Sequence, residues 1–337
     1  MKRFHCSCGQ ELFFENSHCN HCGASLGFDP RRLTLIAVTD KGDHLEASDD
    51  SSQRFRRCQL HRQPVGCNWL ISDDDANAQC IACRLTRTIP DQSYIYNQKR
   101  WQILETAKRR MIYGLLTLNL PVNLPQHPLY FDFLEDQQSN PDASHEQVLS
   151  GHANGCIIIN AAEADGSYRE AAKEAMNEPY RTLLGHFRHE VGHYYWQLIA
   201  TTPAKTAFVE LFGDPDQDYQ AALEQYYQHG PVENWQENFI SAYASVHPLE
   251  DWAETWAHYL LMNEALETAL AFEVIATPDG NVPFSSWLSE WLQLVLVLNA
   301  LNRSIGNADA YPFVISPGVQ KKLQFVDQLI RDWPTAH

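Results

Sequence analysis

His189-Glu190-Val191-Gly192-His193 is the stretch that decides how this chain is read. Residues four apart on a helix share a face, so His189 and His193 can bind one metal ion together. Glu190 then leans toward the open side of that metal, where it can take a proton from zinc-bound water. Such a pentapeptide also arises by chance, so its flanks must decide. Within residues 181–200 (RTLLGHFRHEVGHYYWQLIA), Leu184, Phe187, Val191, Tyr195 and Leu198 recur at steps of three or four, which predicts a buried helical face. Paired histidines on such a helix, beside a glutamate, are hard to explain without a metal.

A zinc of this kind needs a third protein ligand and leaves its fourth position to water. Downstream runs His247-Pro248-Leu249-Glu250-Asp251-Trp252-Ala253-Glu254-Thr255-Trp256-Ala257-His258-Tyr259. Pro248 suits the first turn of a helix, and the acids after it suit the positive end of the helix dipole. Glu250 and Glu254 are four apart and share a face. The pair fits one metal ligand and one acid that accepts the N–H of a ligating histidine, fixing its tautomer. Dipole complementation alone is the competing explanation. The adjacent tryptophans make the helix look buried, and buried carboxylates require a metal or a partner.

The nine cysteines divide into Cys6, Cys8, Cys19 and Cys22, then Cys58, Cys67, Cys80 and Cys83, with Cys156 alone in an apolar run. Close pairs separated by a turn suit a tetrahedral structural zinc held by four thiolates. The Cys6-x-Cys8 pair is one residue tighter than usual, which leaves His5, His18 or His21 as substitute ligands. In the second group only Cys80 and Cys83 form a tight pair, and His61 is a rival there. A disulfide framework is the alternative, but Met1-Lys2-Arg3-Phe4-His5-Cys6 has no apolar leader, so a cytoplasmic, metal-bound chain is expected. This reading places zinc modules at residues 1–28 and 53–90, joined by a polar linker or exposed loop at 41–57. Modules that small bury too little surface to fold unaided, so zinc is expected to be their main source of stability. Cys156 reads as a small buried apolar residue.

These motifs together resemble a known class. HEVGH followed by a Glu-x-x-Ala-Glu helix is similar to the gluzincin zinc metallopeptidases. The whole chain resembles a bacterial family of zinc-binding metallopeptidases with an N-terminal zinc ribbon. The resemblance lies in Cys19-Asn20-His21-Cys22-Gly23, in Cys80-Ile81-Ala82-Cys83-Arg84-Leu85, in the run from Glu178 to Arg188 leading into HEVGH, and in His247 to Tyr259. It implies that Glu250 is the third ligand, after His189 and His193, with Glu254 behind it. It also implies a role near zinc for a tyrosine seven residues before the ligand glutamate. Tyr243 holds that spacing and is a candidate phenol donor to the oxyanion, with a packed aromatic as the alternative. The implied fold is α+β: a mostly helical zincin-like domain with a small sheet over residues 91–337, preceded by the four-cysteine modules. The implied cofactors are one catalytic and two structural Zn²⁺, and the implied substrate is a peptide or protein.

The remaining pattern fits that outline. Helices are expected at 98–118, 168–178, 181–200, 216–228, 249–272, 285–303 and 317–332, and strands at 129–134 and 156–160. His152, His186, His247 and His258 are expected to be structural, and Asp214 to Asp218 to cap a helix. No apolar run is long enough to span a membrane. The formal charge is −17, with 42 acids against 25 Lys and Arg, which opposes a nucleic-acid-associated protease. The basic clusters are Arg54-Phe55-Arg56-Arg57 and Lys108-Arg109-Arg110. A non-enzymatic interaction protein with a dormant HEVGH core is the other alternative. The intact Glu190 argues against it, since a purely structural zinc needs no base.

Overall fold

The computed structural model describes residues 1–176, 182–276 and 282–333. The beginning of the Glu178–Arg188 stretch, and the expected helix ends at 178 and 181, lie outside those residues. The described chain divides into two compact units, residues 3–187 and residues 188–333 with Met1 and Lys2. Together they make an α+β protein, mostly helical with small sheets.

In the first unit, β1 (Phe4–His5) and β2 (Glu11–Leu12) form an antiparallel hairpin whose turn carries Cys6 and Cys8. A five-stranded antiparallel meander follows: β3 (Ser25–Asp29), β4 (Thr34–Asp40), β5 (Leu45–Ala47), β6 (Arg54–Arg57) and β7 (Leu70–Ser72). Ile36, Val38, Leu45, Ala47, Phe55 and Leu70 form its core. Residues 41–57 are therefore no mere linker: they carry β5 and β6. Only Leu45, Ala47 and Phe55 of that segment turn inward, too few to raise the strand pattern above its Asp and Ser residues. Gly27 is required by packing, since a Cβ there would lie 2.5 Å from Leu70.

A second, four-stranded sheet has the order β10 (Gly151–Ala153), β11 (Cys156–Asn160), β9 (Tyr130–Leu134), β8 (Thr86–Thr88). Strand β9 runs parallel to both β8 and β11, and β10 is antiparallel. The β8–β9 crossover is made by α1 (Ile95–Thr117), as parallel pairing demands. A further helix, α2 (Gly166–Met176), follows the sheet. The expected strands were β9 and β11; the three-residue β8 and β10 are too short for any periodicity to show. On α1, Lys108 is buried with Glu105 and Arg109 is 4% exposed, so this basic cluster is largely interior.

The second unit is helical. Helix α3 (Leu183–Ile199) carries HEVGH, followed by α4 (Ala204–Phe212), α5 (Tyr219–His229), α6 (Pro248–Ala271), α7 (Phe284–Ser304) and α8 (Pro317–Arg331). The middle glycine of the motif sets how closely α3 and α6 approach. A Cβ on Gly192 would stand 3.0 Å from Ala253 Cα, and the Gly192 carbonyl accepts the Trp252 indole N–H at 2.8 Å. Tyr195 stacks on Trp256 at 4.5 Å in the same seam. His247 caps α6 by accepting the Leu249 N–H, with Pro248 in the first turn as expected. Helix α8 is locked to α6 by the buried Lys322–Asp251 pair, N···O 2.5 Å, and by the bond from Tyr259 to Asp327. Among the described residues no helix is long and apolar enough to cross a membrane.

Candidate metal centres

Three groups of side chains place ligand atoms within 4.8 Å of one another. Cys6, Cys8, Cys19 and Cys22 form the first, with Cys6 and Cys22 Sγ 3.6 Å apart and Cys8 and Cys19 Sγ 3.7 Å apart. Cys58, Cys67, Cys80 and Cys83 form the second, all buried, with Sγ separations of 3.8 Å for Cys67–Cys80 and 3.5 Å for Cys67–Cys83. A disulfide needs a separation near 2 Å. Four thiolates at zinc's usual 2.3 Å span tetrahedron edges of about 3.8 Å, so both groups have the size of a zinc cage. The histidine rivals do not join either group among the described residues. His61 Nδ1 instead bonds the Cys67 carbonyl at 3.0 Å.

In each cage some thiols are drawn toward thiolate and others are pushed away from it, Cys22 in the first and Cys67 and Cys80 in the second. At the first, the backbone N–H of Cys22 pulls the Cys19 thiol down to about 6. At the second, backbone N–H groups of Cys80 and Cys83 point at Cys58 and Cys80 sulfur, each at 3.4 Å. Burial works against the charge of Arg109 on α1, yet the facing Cys67 and Cys83 outweigh it and strengthen the cation. A four-thiolate zinc site carries net negative charge, and Arg109 sits where that charge needs an answer.

The third group joins α3 to α6. His189 and His193 Nε2 are 3.2 Å apart. Glu250 reaches both, with Oε2 3.0 Å from His189 Nε2 and Oε1 3.5 Å from His193 Nε2. Zinc–nitrogen bonds near 2.05 Å would set ligand separations of about 3.3 Å, which these distances bracket. His189 Nδ1 donates to Glu254 Oε1 at 2.7 Å, and Ser241 Oγ donates to Glu254 Oε2 at 2.6 Å. With its proton on Nδ1, His189 turns a lone pair on Nε2 toward another imidazole nitrogen and a carboxylate. Lone pairs so close repel unless a cation lies among them, so the donor set fits zinc. Burial opposes ionisation of Glu250 and Glu254, but His193 and His189 hold Glu250 well below the usual carboxylate range, and the His189 bond brings Glu254 to about 2. Against its own burial, His189 is driven well above the usual imidazole range by Glu250 and Glu254. In the absence of metal a proton takes the cation's place.

Residues 97–329 match the family model described as "Putative zinc-binding metallo-peptidase", and residues 3–94 match a zinc-ribbon domain. The chain belongs to that metallopeptidase family. Similar proteins are the uncharacterized protein Mb2598c of Mycobacterium bovis and the uncharacterized protein Rv2568c of Mycobacterium tuberculosis. Each is 41% identical over 355 aligned residues, covering 100% of this chain and 98% of the relative. No solved structure matches the chain.

Within this member of the family the remaining candidates fall as follows. Glu190 is buried next to His189 on α3. The Tyr243 ring stands 6.0 Å from the His189 ring, and that of Tyr226 on α5 stands 5.9 Å from Tyr243. His186 bonds Glu163 at 2.6 Å, and His152 accepts the Gly155 N–H at 3.1 Å. Asp218 caps α5, as the run of acids suggested. Two residues escaped the sequence reading: Ser241, on Glu254, and Tyr219, whose hydroxyl donates to Glu250 Oε1 at 2.9 Å. Neither belongs to a motif. Proximity to Tyr243 was the only hint for Ser241, and Tyr219 lies 31 residues before its carboxylate.

His258, on α6, pairs its Nδ1 with the Tyr311 hydroxyl at 2.7 Å, and burial lowers its pKa to about 4. Glu254 pulls the other way, while His189 and Arg188 add to the lowering. Unfolding returns His258 to about 6.5, so the unfolded chain binds the extra proton first as pH falls. Its contribution is complete above pH 6.5 and is lost between about pH 6.5 and 4, to a total near 3 kcal/mol. Urea unfolding across that range should show the loss, and His258→Asn should flatten it. An unchanged slope in the variant would assign the acid sensitivity elsewhere.

Proposed function

We propose that this chain is a zinc-dependent peptidase that hydrolyses peptide bonds with Glu190 as general base. The observation that carries the reading is the convergence of His189, His193 and Glu250 at zinc-ligand spacing, with Glu254 fixing the tautomer of His189. A zinc ion held there would offer one open position, lower the pKa of a water in it to about 7 and polarise a peptide carbonyl. The part of Glu190 would be to accept, on its carboxylate, the proton of the water that adds to the carbonyl carbon. Glu190 would then pass the proton to the amine nitrogen as the C–N bond breaks. The Tyr243 phenol donates to the oxyanion. Glu254 holds the proton on His189 Nδ1, so that Nε2 stays available. Three zinc ions per chain follow, two of them structural, and the substrate is a peptide or protein. Free paired cysteines favour a reducing compartment, the cytoplasm.

Zinc per chain in untagged protein tests the reading. It should fall from about three to about two in the His189→Ala/His193→Ala variant, and only the parent should cleave members of a mixed peptide library. Equal zinc in both proteins, even after zinc is added back, would leave an interaction protein built on zinc ribbons as the better account.

A further inference from the structure

A glutamate ligand has two chemically equal oxygens and can meet a metal with one or with both. In Glu250 they are not equal. Oε1 accepts the Tyr219 hydroxyl at 2.9 Å, whereas Oε2 has no such donor and stands 3.0 Å from His189 Nε2, on the side of the histidine ligands. The carboxylate is 2% exposed, so water does not substitute freely for the phenol. The Tyr219 ring meets the ring of His247, the cap residue of α6, edge-on at 5.2 Å. Tyr219 is thus braced against the turn that delivers Glu250, although 40% of the residue is exposed and α5 buries none of its residues.

We propose that Tyr219 is a positioning residue of the metal site: its hydrogen bond occupies Oε1 and presents Oε2 as a single-oxygen ligand. This deepens, and rests on, the reading of His189, His193 and Glu250 as a zinc site. Holding one oxygen fixes the carboxylate rotamer before the metal arrives, which spares the site that ordering step on binding. It also keeps a second oxygen out of the coordination sphere, leaving the open position to water and substrate.

The test is Tyr219→Phe, which removes only the hydroxyl and keeps the ring against His247. Zinc affinity of the third site is measured by competition with a chromogenic chelator, at concentrations that leave the cysteine-held zinc in place. We expect about ten- to a hundredfold weaker binding, the range found when a ligand's hydrogen-bond partner is removed. The thermal midpoint should be unchanged. Tyr259→Phe, which removes another tyrosine–carboxylate bond in the same unit, should leave zinc affinity at the parent value. Cobalt(II) placed in the third site, read as the difference from the His189→Ala/His193→Ala variant, should lose visible absorption in Tyr219→Phe as the released oxygen joins the metal. Parent affinity and an unchanged cobalt spectrum in Tyr219→Phe would overturn the proposal while the zinc site stood. If the parent itself held no more zinc than the double-histidine variant, the metal-site reading would fail and take this inference with it.

Discussion

Glu190→Gln is expected to keep its full zinc content and lose turnover by roughly 10²- to 10⁴-fold, the range assigned to a positioned general base. Gln is the same size and hydrogen-bonds, so the buried position next to His189 is neither emptied nor charged differently enough to unfold α3. The candidate metal ligands His189, His193 and Glu250 are untouched. What changes is one capacity: an amide oxygen does not accept and carry a proton at neutral pH. Elemental analysis and peptide cleavage on the same preparation read both halves of the expectation. A variant that binds zinc normally and cleaves at the parent rate would show that another group serves as base.

The second large effect concerns the buried cysteine cage. Cys80→Ser should cost one zinc and unfold the meander β3–β7 and the segments that pack on it. Structural zinc contributes roughly 10–16 kcal/mol in small metal modules, as much as the whole stability of a typical domain. Here one face of the meander closes over a small cluster of Ile36, Val38, Leu45, Ala47, Phe55 and Leu70, and Cys58, Cys67, Cys80 and Cys83 are each at most 2% exposed. Without zinc, four thiols would be packed together with Arg109 beside them and no cation among them. Limited proteolysis should cut within residues 25–72 in the variant, and in the parent after strong chelation, before it cuts α6 or α8. Equal protease resistance with and without metal would mean that the aromatic cluster of Phe4, Phe14, Phe28, Trp69 and Tyr113 holds this region alone.

Much of the candidate site was legible because it is written in local spacing. A four-residue step on one helix brings His189 and His193 together whatever the rest of the chain does. The same step aligns Glu250 with Glu254, and short cysteine pairs mark the whole of the first cage and half of the second. Reading residues 41–57 as a linker went astray because three inward side chains do not make a pattern. The three-residue strands β8 and β10 were invisible for the same reason. The basic run Lys108-Arg109-Arg110 stood out in the sequence only as a cluster of charge, yet its first two members are buried by Glu105 and the second cage. Partner chemistry, rather than residue type, decides where a charge is tolerated.

The sequence by itself determined the metal-binding residue types, the helices that carry them and the family to which they belong, since each rests on contacts within a few residues. Spacing alone left open which carboxylate faces the histidines and which stands behind them; the family resemblance implied Glu250 in front, and only the tertiary structure shows the contacts that put it there. Glu250 and Glu254 occupy one helical face and are indistinguishable in pattern, but α6 crosses α3 at Gly192, and that crossing sets Glu250 against Nε2 and Glu254 against Nδ1 of the same ring. Tyr219 and Ser241 likewise become partners of those acids only through packing. A hydrogen bond between residues far apart in the chain depends on the meeting of two surfaces, and local spacing carries no record of it.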